Sequence, residues 1–94
     1  MSRPWRWAIT WDNAVPNRNS DPLRDALAAL GRVHFPQTKT SALLAPRSGV
    51  SFRDLRTTIK RHLHPRRGNV FYANLHTGQV FQRGTRTGFR WKEL

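Results

Sequence analysis

The sequence has no cysteine, so disulfides, zinc knuckles and thiol catalysis are excluded together. Carboxylates are scarce: five Asp and Glu stand against seventeen Lys and Arg, a formal net charge of +12. No apolar run approaches the roughly 20 residues of a membrane-spanning helix. The start, Met-Ser-Arg-Pro-Trp-Arg-Trp, carries basic residues with no apolar stretch behind them. It does not read as a signal peptide, and a cytoplasmic protein of a prokaryote or its phage is the expectation. The few acids are also largely accounted for locally. Asp21 and Asp54 stand where helix caps belong, Asp25 lies near a positive helix N-terminus, and Glu93 is in the tail. One chain therefore has too few carboxylates for a two-metal hydrolase.

What is present is cationic charge on a chain of 94 residues, the size of one domain with one core. Such an imbalance makes the compact state repel itself, and a polyanion relieves that repulsion. Genome composition explains the choice of Arg over Lys but not the shortage of acids. A nucleic acid is the expected partner, ahead of an anionic membrane or an acidic protein.

Trp5, Trp7, Ile9 and Trp11 alternate with Arg6, Ala8, Thr10 and Asp12, which predicts a strand with one apolar face. Asn13 to Ser20 is rich in turn-formers. Asp21-Pro22 opens a helix over 22–30, with Leu23, Ala26, Leu27 and Leu30 on one side and Gly31 as its stop. Arg32–Phe35 and Thr40–Ala45 read as short strands joined by a tight connection at Pro36–Lys39. Ser51 and Asp54 form a capping box for a second helix. Phe52, Leu55, Ile59 and Leu63 make its buried stripe, Arg53, Arg56, Lys60 and Arg61 its cationic side, and Pro65 its limit. Asn69–Leu75 is β-prone, and Thr77-Gly78 turns the chain into Gln79–Arg83. The rest is a Gly-, Thr- and Arg-rich tail.

The fold class predicted is α+β: a ferredoxin-like β-α-β-β-α-β sandwich, with a four-stranded antiparallel sheet, two helices on one face and a short C-terminal strand extension. The other sheet face is left for solvent or for a second copy. A first strand ending in Trp11-Asp12, the Ser41-Ala42-Leu43-Leu44 third strand, the capped second helix and the Gly68-Asn69-Val70 entry into the fourth strand carry a resemblance. Over roughly residues 5 to 83 the chain resembles the small CRISPR spacer-acquisition nuclease family and its VapD-like relatives. The resemblance implies a homodimer whose C-terminal strand crosses to the partner's sheet. It also implies either DNA handling without cleavage or metal-dependent cleavage at the Asp that ends the first strand, here Asp12. An Asn after that Asp, a long Pro/Asn-rich loop and the high Arg content depart from the family pattern.

Asp12 lies opposite the Trp face, and two copies brought together by a two-fold axis would offer a paired-carboxylate site to Mg²⁺ or Mn²⁺. Hard cations need several oxygen ligands, and one Asp alone is not enough. The bland alternative is an Asx-turn at the strand end. His62 and His64 diverge by about 200° on a helix and make no metal pair; His34 or His76 is chemically able to act as general acid or base in RNA cleavage, but no spacing marks either for it. Tyr72, Phe81, Phe89 and Trp91 serve either as core or dimer contacts or as stacking platforms for bases. The nucleic-acid-binding set is Arg53, Arg56, Lys60, Arg61, Arg66, Arg67, Arg83, Arg86, Arg90 and Lys92, with Arg66, Arg67 and the 83–92 group foremost. Arg suits phosphate because its guanidinium binds in a bidentate fashion. The sequence points to a backbone-binding module, alone or within a larger nucleoprotein complex. A metal-dependent endonuclease and a phage or toxin–antitoxin regulator acting on a protein complex are the alternatives. DNA and RNA are both open.

Overall fold

The computed structural model describes residues 5–12, 21–36, 40–63 and 68–94. In chain order these form β1 (Trp7–Asp12), α1 (Asp21–Ala28), β2 (Gly31–His34), β3 (Ser41–Pro46), α2 (Phe52–His62), β4 (Asn69–Asn74), β5 (Val80–Arg83), a 3-10 turn at Thr85–Thr87, and β6 (Lys92–Glu93). The expectation of an α+β chain with two helices stands, but the four-stranded ferredoxin-like sandwich does not. The sheet has six strands in the order β2-β3-β1-β4-β5-β6, every neighbouring pair antiparallel. The difference arises after Asn74. Its Oδ1 accepts from the N–H groups of His76 and Thr77, at 2.9 and 3.2 Å, and fixes a turn that lays β5 along β4. The tail then returns as β6 along β5.

Alternation along β1 sends Trp7, Ile9 and Trp11 into the interior. They join Ala42 and Leu44 of β3, Val70 and Tyr72 of β4, Leu23 and Leu27 of α1, and Leu55, Ile59 and Leu63 of α2 in one buried cluster. Both helices thus pack on the same sheet face. Trp5 departs from the predicted apolar face. It precedes β1, where the pleat no longer dictates direction, and its ring lies 6.1 Å from His34 with Arg32 over it at 5.6 Å. Phe52 also leaves the predicted stripe, being 52% exposed at the first turn of α2.

The register defines the opposite face. Ala8 lies between Leu43 and Ala73, Thr10 between Ser41 and Phe71, and β5 adds Val80 and Gln82. No described element packs there, and Phe71 is 49% exposed. Charge is confined to its margins: Asp12 at the end of β1, Arg32 on β2, and Lys92 on β6.

Candidate nucleic-acid interface

The second helix is built as its sequence demands. The Ser51 N–H donates to the Asp54 carboxylate at 2.8 Å, and the Asp54 N–H donates to Ser51 Oγ at 3.3 Å, which satisfies two of the orphan donors at the helix start. Leu55 and Ile59 turn inward. Arg53, Lys60 and Arg61 are exposed, with Lys60 and Arg61 in the last turn beside the negative end of the helix dipole.

Arg56 behaves differently from the other cations of the helix. It is half-buried, and its guanidinium lies 4.7 Å from the centroid of the Phe81 ring, 5.1 Å from those of Phe52 and Trp91, and 5.8 Å from that of Tyr72. Its Nε donates to the Tyr72 hydroxyl at 2.9 Å. Cation–π contacts contribute about 0.5–2 kcal/mol each, more as water is excluded. Burial pushes the Tyr72 phenol above its ordinary value; the hydrogen bond from Arg56 and its charge pull the other way without cancelling the effect.

Arg83 stands opposite Val70, whose side chain is in the core, so it points to the helix-bearing side of the sheet. Phe81, two residues earlier, points the same way and touches Arg56. Arg83 and Phe81 therefore share the face on which Arg56 lies. Arg86, Arg90 and Lys92 are exposed on the return from β5 to β6. That return uses two successive left-handed residues, Gly88 at φ 62° and Phe89 at φ 61°. Glycine adopts this conformation at no steric cost, whereas Phe89 does so at roughly 1–2 kcal/mol. The Arg83 guanidinium, 6.0 Å from the Phe89 ring centroid, helps hold it there. Half-buried aromatics and cations thus alternate from α2 to the tail. Arg66 and Arg67, the foremost candidates from sequence, lie outside the described residues.

Between the start of α2 and strands β1, β4 and β5 opens a cleft of about 510 Å³. Trp7, Phe52, Tyr72 and Phe81 supply its apolar surface, and Arg6 and Arg56 its charge. In sequence Arg6 alternates with the tryptophans and belongs to no candidate site. Its place here follows from the same break in alternation that moves Trp5: its guanidinium stacks over Trp7 at 5.6 Å, on the helix side. No residue-spacing signal announces this cleft, because its walls come from segments distant in sequence.

Asp12 is exposed at the end of β1, opposite Asn69 of β4. Among the described residues no group of three or more His, Asp or Glu is placed to hold a cation. His34, His62 and His76 fall on β2, at the end of α2 and in the β4–β5 turn, and do not converge. No helix among the described residues is long and apolar enough to cross a membrane. No protein-family model, curated protein or solved structure matches the chain.

Proposed function

We propose that this protein is a homodimeric nucleic-acid-binding module that grips the phosphate backbone along the edge formed by α2 and the β5–β6 return. The observation that carries this reading is the segregation of charge in a chain of net charge +12. Arg53, Lys60 and Arg61 on the helix and Arg86 and Arg90 on the return are exposed, while the centre of the uncovered sheet face carries no charge at all among the described residues. A polyanion is attracted to the first surface. The second is a surface on which two identical, strongly positive chains can meet without forcing like charges together.

A salt titration on a fixed duplex tests the backbone reading. If about six phosphates are engaged, log K falls against log salt with a slope of about −5. Replacing Arg86 and Arg90 together by Ala flattens that slope by about two, and Arg66 with Arg67 does the same if that pair also touches phosphate. A salt-independent affinity, or none at low salt, transfers the case to a protein partner, such as the target of a phage or toxin–antitoxin regulator.

A second reading, metal-dependent cleavage, is favoured by one observation: Asp12 lies on the same uncovered face that would join two copies. The resemblance of the Trp11-Asp12 strand end to the small spacer-acquisition nucleases supports it. Mg²⁺ or Mn²⁺ would there polarise a phosphoryl oxygen and a water held between paired carboxylates.

A further inference from the structure

The cleft at the start of α2 is not needed for gripping a duplex backbone, yet its chemistry is specific. A paired duplex offers a protein edge mainly phosphate and sugar, for which exposed cations suffice. This cleft instead joins two guanidiniums to an aromatic wall, in a volume of about 510 Å³, within the range of small-molecule sites. Among the described residues neither Arg6 nor Arg56 is paired with a carboxylate; the nearest acid on the helix, Asp54, is committed to the Ser51 cap. Arg56 is held in place by its Nε bond to Tyr72 and by the surrounding rings, so its terminal N–H groups are preorganised for an anion. Phe52 stands half-exposed at the mouth, with the Arg56 guanidinium 5.1 Å from its ring centroid and the rest of the ring open to a base. Asn74 spends its Oδ1 on the turn N–H groups of His76 and Thr77, which leaves its amide N–H groups as donors into the cleft.

Resting on the backbone-binding reading, we propose that this cleft receives one unpaired nucleotide of the bound nucleic acid. Its phosphate is bridged by Arg6 and Arg56, its base lies against Phe52, and a base carbonyl accepts from Asn74. The protein thereby selects duplex ends or junctions bearing a single strand over continuous duplex. Base–aromatic stacking tolerates any base, so the selection is for unpaired structure rather than sequence.

Fluorescence anisotropy with paired probes tests this, each made as DNA and as RNA: a blunt duplex, and the same duplex with a short single-stranded thymidine or uridine overhang. The expected result is about tenfold tighter binding of the overhang probe, the scale of one stacked base. Arg6→Gln and Phe52→Ala should each remove that preference and leave blunt-duplex affinity and its salt slope unchanged. Both residues are exposed, and circular dichroism of the variants confirms that they fold. Equal affinity for both probes overturns this inference alone, as does a preference that survives in both variants. Loss of binding to every probe overturns the backbone reading and this inference with it.

Discussion

At the scale of single residues, the pairing of Arg56 with Tyr72 has a measurable signature. Tyr72 is the one tyrosine in the chain, so ultraviolet absorbance through an alkaline titration reports on it alone. Its phenol is pushed above 10.0 by burial, the larger influence, against the hydrogen bond and charge of Arg56. The folded protein thus holds this proton more tightly than the unfolded chain does. The stability it contributes is complete below pH 10.0 and is lost as pH rises through the folded-state value. Arg56→Gln removes both opposing influences, and the midpoint should climb further. A midpoint at or below the ordinary value, or a fall in the variant, contradicts the geometry. Helical spacing alone correctly marks Arg53, Lys60 and Arg61 as exposed cations of one helix. It cannot reveal that Arg56 of the same set turns under a roof of rings, because Tyr72, Phe81 and Trp91 arrive from β4, β5 and the tail. The same limit explains Phe52: its spacing fits the buried stripe, but it sits at the first turn, where its ring serves the cleft mouth and the Arg56 cage.

At the scale of elements, both helices and the first four strands are legible because period, caps and turn residues agree along the chain. The Thr77-Gly78 turn also announces β5 as an extension, but the return to β6 is not legible. Residues 84–94 lack apolar alternation, and β6 has only two residues, both exposed, so nothing in its composition identifies a strand. Its position depends on the left-handed pair Gly88-Phe89, and Phe is not a residue that sequence rules assign to that conformation. The junction of α1 with β2 is better signposted and more constrained than its sequence implies. Gly31 does more than stop a helix: a Cβ there would collide with the Ala45 carbonyl and come within 2.7 Å of the Arg47 nitrogen, both backbone atoms of the neighbouring segment. Backbone cannot give way as a flexible side chain does. Gly31→Ala should therefore destabilise at or above the top of the roughly 1–3 kcal/mol range for overpacking. Urea unfolding measures this. A loss below about 0.5 kcal/mol would show that the β2 edge shifts freely and that this junction does not hold α1 in register.

At the scale of the whole molecule, the sheet face, uncharged at its centre, and the cationic surface of α2 are distinct, so the proposed assembly and the proposed binding are separable. Phe71, half-exposed in the Thr10–Ser41 row, is the place to separate them. Phe71→Glu puts a charge where two copies would meet. Light scattering should show the wild type as a dimer at micromolar concentration and the variant as a folded monomer. Any cleavage that depends on Mg²⁺ or Mn²⁺ should vanish in this variant as it does in Asp12→Ala, since the first separates the two carboxylates of the proposed shared site and the second removes both. A wild type that is monomeric throughout refutes the pairing; cleavage that persists in the monomer refutes the shared centre. The sheet order carries one more consequence, for the order in which the chain acquires its structure. Strand β1 is central, and its Trp7 is flanked by Leu44 on one side and Asn74 on the other. Both flanking strands are remote in sequence, whereas β4, β5 and β6 follow one another by local turns. During synthesis Trp7 and Trp11 gain β3 as a neighbour only once the chain through Pro46 is made, and β4 only once the chain through Asn74 is made. Distant closures of this kind fold slowly and leave apolar surface open to misassociation. The net charge of +12 makes such unfinished chains repel one another.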